Sequence, residues 1–208
     1  RDEQAAQIYV ESVLRNKKFE ALNIEEYQDK TRAFLKIQDG CNRFCAYCII
    51  PYSRGSVCSK EPRQVLDEIN KLSEHGFKEI ILSGIHTASY GLDLDGEITL
   101  VDLLEEIEKL DGIERVRIGS IEPAFFTPEV VEKIKNMKKL CPQFHLSLQS
   151  GCNATLKRMN RRYTAEEYER IVNILRENIK DVSITTDVIV GFPGETEEEF
   201  NETYEFLK

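Results

Sequence analysis

Short apolar runs alternate with longer segments of helical period along most of the chain. Ala33 to Gln38, Lys78 to Ser83, Arg115 to Ser120, Gln143 to Leu148 and Val182 to Val190 read as strands. Helical patterns fill the intervals at Pro62 to His75, Thr99 to Leu110, Pro128 to Lys138, Ala154 to Met159 and Ala165 to Asn178. A glutamate-rich helix follows from Thr196 to the end. Pro62 in a first turn and Gly76 beyond a last turn mark one helix. Thr99 with Asp102 three residues on resembles a capping box for another. Five strands alternating with helices predict parallel βαβ units with right-handed crossovers. Residues 1–16 read as a polar helix with Ile8, Val10, Val13 and Leu14 as its apolar stripe, and residues 17–30 are charged and weakly patterned. Residues 1–30 are therefore expected to be a connector from an upstream domain; a native N-terminal helix packed on the core is the alternative.

Two strands carry an additional pattern. His145, Ser147 and Gln149 share one face, with Phe144, Leu146 and Leu148 on the other. Ser183, Thr185 and Asp187 likewise oppose Ile184, Val188 and Val190. A parallel strand covered by helices on both faces reads apolar throughout. A polar stripe instead predicts a curved sheet with a wet inner face. A closed (β/α)8 barrel takes about 250 residues. Residues 31–208 with five βα units are therefore expected to form an α/β fold of the open, partial-barrel type.

Composition narrows the class. The 208 residues include 41% hydrophobic and 31% charged positions, an ordinary globular balance. No stretch approaches the roughly 18 apolar residues of a membrane helix, and no leader pattern is evident. The net charge of −9 argues against a free-standing electrostatic nucleic-acid binder. Six cysteines are too few for a disulfide scaffold, and three crowd into Cys41, Cys45 and Cys48. Clustered thiols without a secretory signal point to a reducing compartment, the cytoplasm, and to a metal site. The cluster follows the first strand directly, at the carboxyl end where barrel folds hold their chemistry. Structural zinc takes four ligands, and no fourth cysteine or histidine lies close by, so zinc would need Cys58 or a distant histidine. A [4Fe–4S] cluster held by three cysteines keeps one iron open for a ligand. Cys58, Cys141 and Cys152 have no ligand spacing and read as packing thiols.

The Cys41-x-x-x-Cys45-x-x-Cys48 loop, with Tyr47 before its third cysteine, resembles the radical S-adenosylmethionine (SAM) superfamily. KIQDGC at 36–41 and IIPYSRG at 49–55 resemble the methylthiotransferases within it. So do LSLQSG at 146–151, LKRM at 156–159 and DVIVGFPGE at 187–195. GIHTASYG at 84–91 and SGC at 150–152 are most similar to the type that modifies N6-threonylcarbamoyladenosine beside the tRNA anticodon. The resemblance spans residue 31 to the C-terminus. It implies an open (βα)6-type radical SAM barrel, here incomplete at its C-terminal end. It also implies an upstream domain holding a second [4Fe–4S] cluster and a downstream RNA-binding domain, both outside this chain.

The resemblance further implies that Cys41, Cys45 and Cys48 hold three irons while the fourth chelates SAM. The 5′-deoxyadenosyl radical so formed would take hydrogen from carbon-2 of the modified adenine, and an external donor would supply the electron. Tyr47, Gly84, Glu122, Ser147, Gln149, Asp187 and Gly191 are expected around SAM or the nucleoside. Arg54, His86, Arg158 and Arg161 are expected on the substrate side. Arg43 and Arg54 flank the loop, to offset cluster charge or meet phosphate. The basic run Lys157, Arg158, Arg161 and Arg162 is read as facing tRNA phosphates, with a solvated helix end near acidic partners as the alternative. The expected protein is a monomer without membrane contact. Methylthiolation of isopentenyladenosine in tRNA or of a ribosomal-protein aspartate remains open, as does a simpler electron-transfer or structural metal module.

Overall fold

Among the described residues, six strands and seven helices arise, most of them where the chain's patterns place them. The strands are β1 (Ala33–Asp39), β2 (Cys58–Ser59), β3 (Glu79–Gly84), β4 (Arg115–Ile118), β5 (Gln143–His145) and β6 (Ser183–Thr185). The helices are α1 (Ile50–Arg54), α2 (Pro62–Glu74), α3 (Leu100–Lys109), α4 (Pro128–Ile134), α5 (Asn153–Arg158), α6 (Ala165–Asn178) and α7 (Glu197–Leu207). The computed structural model describes residues 31–208 together with Val13 and Phe19. The helix expected over 1–16 and the connector over 1–30 therefore fall, those two residues apart, outside the described residues.

Parallel pairing of β1 with β3 and of β3 with β4 builds the first part of the wall, in the order β2-β1-β3-β4. β5 and β6 form a second parallel pair. Single bridges at Val116–Leu140 and Ile121–Leu146 link the two parts, so the sheet curves without closing into a barrel. The apolar face of this wall, with Leu35, Ile37, Ile80, Leu82 and Phe144 almost fully buried, packs under the helices. Each such aliphatic side chain stabilises the fold by about 1.5–3 kcal/mol. α2 contributes Val65, Ile69 and Leu72, a single helical stripe. Among the described residues no helix is long and apolar enough to cross a membrane.

Local chemistry sets the helix ends. The Thr99–Asp102 capping box forms as expected, and Thr164–Glu167 and Thr196–Glu199 form two more. α4 stops at Ile134 rather than Lys138, where Met137 N–H closes a tight turn on the Ile134 carbonyl. The last two strands are shorter than the alternation suggested. Gln149 takes a φ of 69°, which interrupts the extended backbone, and from there a lone bridge to Val188 continues the pairing. β2 runs antiparallel to the end of β1, pairing Gln38 with Ser59 and Asp39 with Cys58; two residues are too few for periodicity to reveal.

The two polar stripes do meet. His145 Nδ1 lies 3.0 Å from Thr185 Oγ1, and His145 Nε2 lies 3.3 Å from Asp187. The Ser150-Gly151 segment has a different use: it seats α7. Ser150 Oγ bonds Thr203 Oγ1 at 2.9 Å, and Gly151 N–H donates to the same hydroxyl at 3.1 Å. Glu199 adds a second anchor, accepting both Arg158 guanidinium nitrogens, with Nη1 at 2.9 Å.

Gly40 ends β1 and opens the cysteine loop at φ 68°, and a Cβ there would sit 1.9 Å from the Ser56 carbonyl oxygen. Gly76, at φ 89°, has nothing within 4 Å of its Cβ position. Gly76→Ala is expected to cost about 1–2 kcal/mol for the left-handed backbone alone. Gly40→Ala is expected to cost about 3 kcal/mol or more, because the loop backbone must also move. Urea melts of the two variants check this; equal losses would contradict it.

Arg158, followed by the Thr196 N–H, holds the Glu199 carboxyl down at about 2. A carboxylate depressed in the folded state stabilises above its unfolded pKa, and that contribution is lost as pH falls through the folded value. The stability of the native chain should therefore fall between about pH 4.5 and pH 2 more steeply than that of Glu199→Gln. Urea midpoints across that window measure the difference, and parallel curves would refute it.

Candidate functional site

The three clustered cysteines sit on the loop after β1, at the carboxyl end of the parallel strands. Cys41 is buried, Cys45 and Cys48 are part exposed, and none of the six cysteines is in a disulfide. The loop is held from two sides. On one side Cys41 N–H bonds the Gly55 carbonyl at 3.0 Å. On the other, the end of α5 reaches across: Ala46 N–H bonds the Met159 carbonyl at 3.0 Å, and Asn160 Nδ2 bonds the Phe44 carbonyl at 2.8 Å. Phe44 and Asn160 both have positive φ, 52° and 57°. Non-glycine residues in that region are uncommon and concentrate at functional sites.

Below the loop lies a buried carboxylate. Glu122 follows β4, with Pro123 after it, and its side chain is 5% exposed. Arg43 Nη2 reaches it at 2.5 Å, His86 Nε2 at 2.9 Å and Arg161 Nη2 at 3.7 Å. Burial pushes the Glu122 pKa up, but the His86 bond and the Arg43 and Arg161 charges outweigh it and hold it low. In the tautomer that donates to Glu122, His86 Nδ1 accepts the Ser89 hydroxyl at 2.6 Å. Arg161 also donates from Nη1 to Cys45 Sγ at 3.3 Å and from Nε to the Tyr163 hydroxyl at 3.1 Å. The Tyr163 hydroxyl in turn is shared between the Ser147 and Leu148 carbonyls, at 2.5 and 2.8 Å. Gln38, fully buried, completes the frame. Its Oε1 accepts the His86 N–H at 2.7 Å and its Nε2 donates to the Gly40 carbonyl at 2.8 Å.

The donor chemistry fits a thiolate-bound cluster. Burial raises the Cys41 pKa, and the neighbouring Cys45 and Cys48 raise it further, against the lowering effect of the Arg43 N–H. Three thiols whose charges repel are relieved by sharing a cationic centre, since a coordinating thiol is deprotonated. Among the described residues, no three cysteine, histidine or carboxylate groups converge on one ion-sized point. Structural zinc takes four ligands about one centre, whereas a cubane cluster offers a separate iron to each of three thiolates. Cys58 lies in β2 near Asp93 and Asp39, whose charges add to burial in raising its pKa.

Contacts across the fold sort the other candidate residues more sharply than spacing could. Tyr47 is exposed, packs edge-on to Phe192 at 6.3 Å, and lies beside Arg161. Gly84 leaves no spare room: a Cβ would be 3.0 Å from both Gln38 Oε1 and Thr87 Cγ2. Ser147 meets the frame through its carbonyl, and Gln149 through its strained backbone, whose N–H bonds the Asp187 carbonyl at 2.9 Å. The Asp187 side chain is largely solvent-exposed. Gly191, at φ 69°, donates its N–H to Glu195. Arg54 is exposed and 3.7 Å from Asp39.

Four of the candidate residues have partners within the protein. Glu122, expected at the cofactor, has its carboxylate engaged by protein donors. His86, expected on the substrate side, is turned inward to Glu122. Arg158 clamps Glu199, and Arg161 is buried against Cys45. Sequence reasoning misses Gln38, Asn160 and Tyr163 altogether. Gln38 lies inside the KIQDGC motif and Asn160 directly after LKRM, but the roles of all three depend on partners far along the chain.

The model of the radical SAM superfamily matches residues 35–207. The chain is 44% identical to the threonylcarbamoyladenosine tRNA methylthiotransferase MtaB of Bacillus subtilis over 96% of its own length and 44% of that protein. It is 48% identical to the tRNA-2-methylthio-N(6)-dimethylallyladenosine synthase of Clostridium tetani over 87% of its length and 40% of that protein. The chain thus spans less than half the length of these curated relatives. In fold it is similar to the radical SAM methyltransferase TsrM of Kitasatospora setae, with a TM-score of 0.69 at 20% identity over 85% of this chain and 33% of that one. With its three-cysteine loop at the carboxyl end of an open parallel sheet, the chain belongs to the radical SAM superfamily.

Proposed function

We propose that residues 31–208 are the radical-generating core of a tRNA methylthiotransferase, acting on N6-threonylcarbamoyladenosine to give its 2-methylthio derivative. The observation that carries this reading is the three-thiol loop clamped over the Glu122 frame, with two of its sulfurs already accepting N–H donors. Cys41, Cys45 and Cys48 would hold a [4Fe–4S] cluster. When bound, that cluster supplies the electron that cleaves SAM to a 5′-deoxyadenosyl radical. The protein's own residues position and shield. Gly84 and Gln149 shape the backbone beside the loop, Tyr47 with Phe192 forms an aromatic edge, and Ser147, Asp187 and Gly191 lie along the open face. Arg54 remains available to an anionic substrate group. Residues 1–30 act as the connector. Sulfur delivery at a second cluster and tRNA docking belong, on this reading, to parts of such enzymes outside residues 1–208, and an external donor reduces the first cluster.

The threonylcarbamoyl substrate is favoured by the GIHTASYG segment and by the 44% identity that covers nearly the whole chain. The dimethylallyladenosine reading has comparable identity over a shorter stretch. Nucleoside analysis of tRNA from cells lacking the intact protein separates the two. Loss of the methylthio-threonylcarbamoyl nucleoside alone is expected; loss of the dimethylallyl counterpart instead would overturn the substrate.

Anaerobic reconstitution with iron and sulfide tests the chemistry. About four irons per chain are expected, falling toward none in Cys45→Ala, with an EPR spectrum that changes on adding SAM. Tight zinc binding with no response to SAM would sink the proposal.

A further inference from the structure

Arg161 is the one cationic side chain, among the described residues, that touches both a cysteine sulfur of the loop and the buried carboxylate beneath it through its guanidinium. Its side chain is 9% exposed. A buried guanidinium is costly unless its charge and its donors are met. Here the donors are met by Cys45 Sγ, the Tyr163 hydroxyl and Glu122, and the guanidinium also lies 4.8 Å from the centre of the Tyr163 ring. The charge is met only in part. Glu122 is shared with Arg43, which holds it at the shorter distance. Two guanidiniums face one carboxylate, leaving an excess of positive charge directly against the cysteine loop. Arg158, three residues earlier, is different: it has Glu199 as its own carboxylate, away from the loop.

We infer that Arg161 is a positioning residue that tunes the loop's cluster. It donates to the Cys45 sulfur and sets a positive charge beside it, favouring the more negative, reduced state. Glu122 is the opposing charge that limits this effect, and Tyr163 fixes the guanidinium in place. The inference rests on the proposed cluster at Cys41, Cys45 and Cys48. Its physical basis is that cluster potentials follow net charge, hydrogen bonds to sulfur and exposure. It also explains the Asn160 turn: the left-handed backbone there lets the chain leave α5 and bring Arg161 back under the loop.

The test is an EPR-monitored redox titration of the reconstituted protein and its variants, with iron and sulfide measured on every sample. Arg161→Gln is expected to move the potential more negative. Glu122→Gln is expected to move it more positive, because the guanidinium charges lose their counter-ion. Arg161→Lys, which keeps the charge and loses the fork, should fall between native and Arg161→Gln. Arg158→Gln should leave the potential unchanged. Opposite shifts at 161 and 122 cannot come from loosened packing, which would move both the same way. Shifts of the same sign, or none with iron at the native level, would overturn the inference. If Arg161→Gln fails to fold or to load iron, the sign in Glu122→Gln and the size of the shift in Arg161→Lys still decide it. Absence of a four-iron cluster in the native chain would instead refute the functional proposal on which it rests.

Discussion

One buried carboxylate ties the carboxyl ends of the sheet together. Glu122 leaves β4 where Pro123 favours an extended backbone, and it meets Arg43 from the cysteine loop, His86 from the loop after β3 and Arg161 from the turn after α5. Ionised carboxylates are rarely buried because desolvation costs several kcal/mol, and stripping a partner from a buried pair costs about 3–5 kcal/mol. The ion therefore fixes where each partner must be. Through Gln38 and Tyr163 the constraint reaches β1 and the segment after β5, so most of the strand ends around the loop share one polar frame.

Much of this fold was legible in the chain. The loop after β1, the alternation of strands and helices, the Thr99 cap and the polar stripes at 145–149 and 183–187 all follow from local periodicity or local hydrogen bonding. β2, the short α1 helix and the turns at 87–89 and 123–125 did not show, because two to five residues carry too little pattern. The frame did not show either. Arg43, His86, Glu122 and Arg161 are separated by tens of residues, and only the curvature of the sheet brings them together. The partners of the basic run at 157–162 did not show for the same reason. Its arginines look unpaired in sequence, but Glu199 and Glu122 arrive from elsewhere in the fold.

Charge illustrates the difference between a chain and its site. The net charge of −9 suggests repulsion of anionic ligands. Locally, the cysteine loop lies over an excess of guanidinium charge. An acidic protein can thus hold an electron-rich centre without conflict, since within a few ångströms the paired groups decide the field. Identity is similar to proteins named for two different adenosine modifications, and a shared fold does not by itself fix a substrate.

On the proposed function, three thiolates leave one iron of a cluster open. Mössbauer spectroscopy of the chain loaded with isotopically enriched iron, before and after SAM, tests it most directly. SAM is expected to alter the signal of one iron in the cluster and leave the other three nearly unchanged. A spectrum that SAM does not alter, or one in which all the irons shift together, would contradict it.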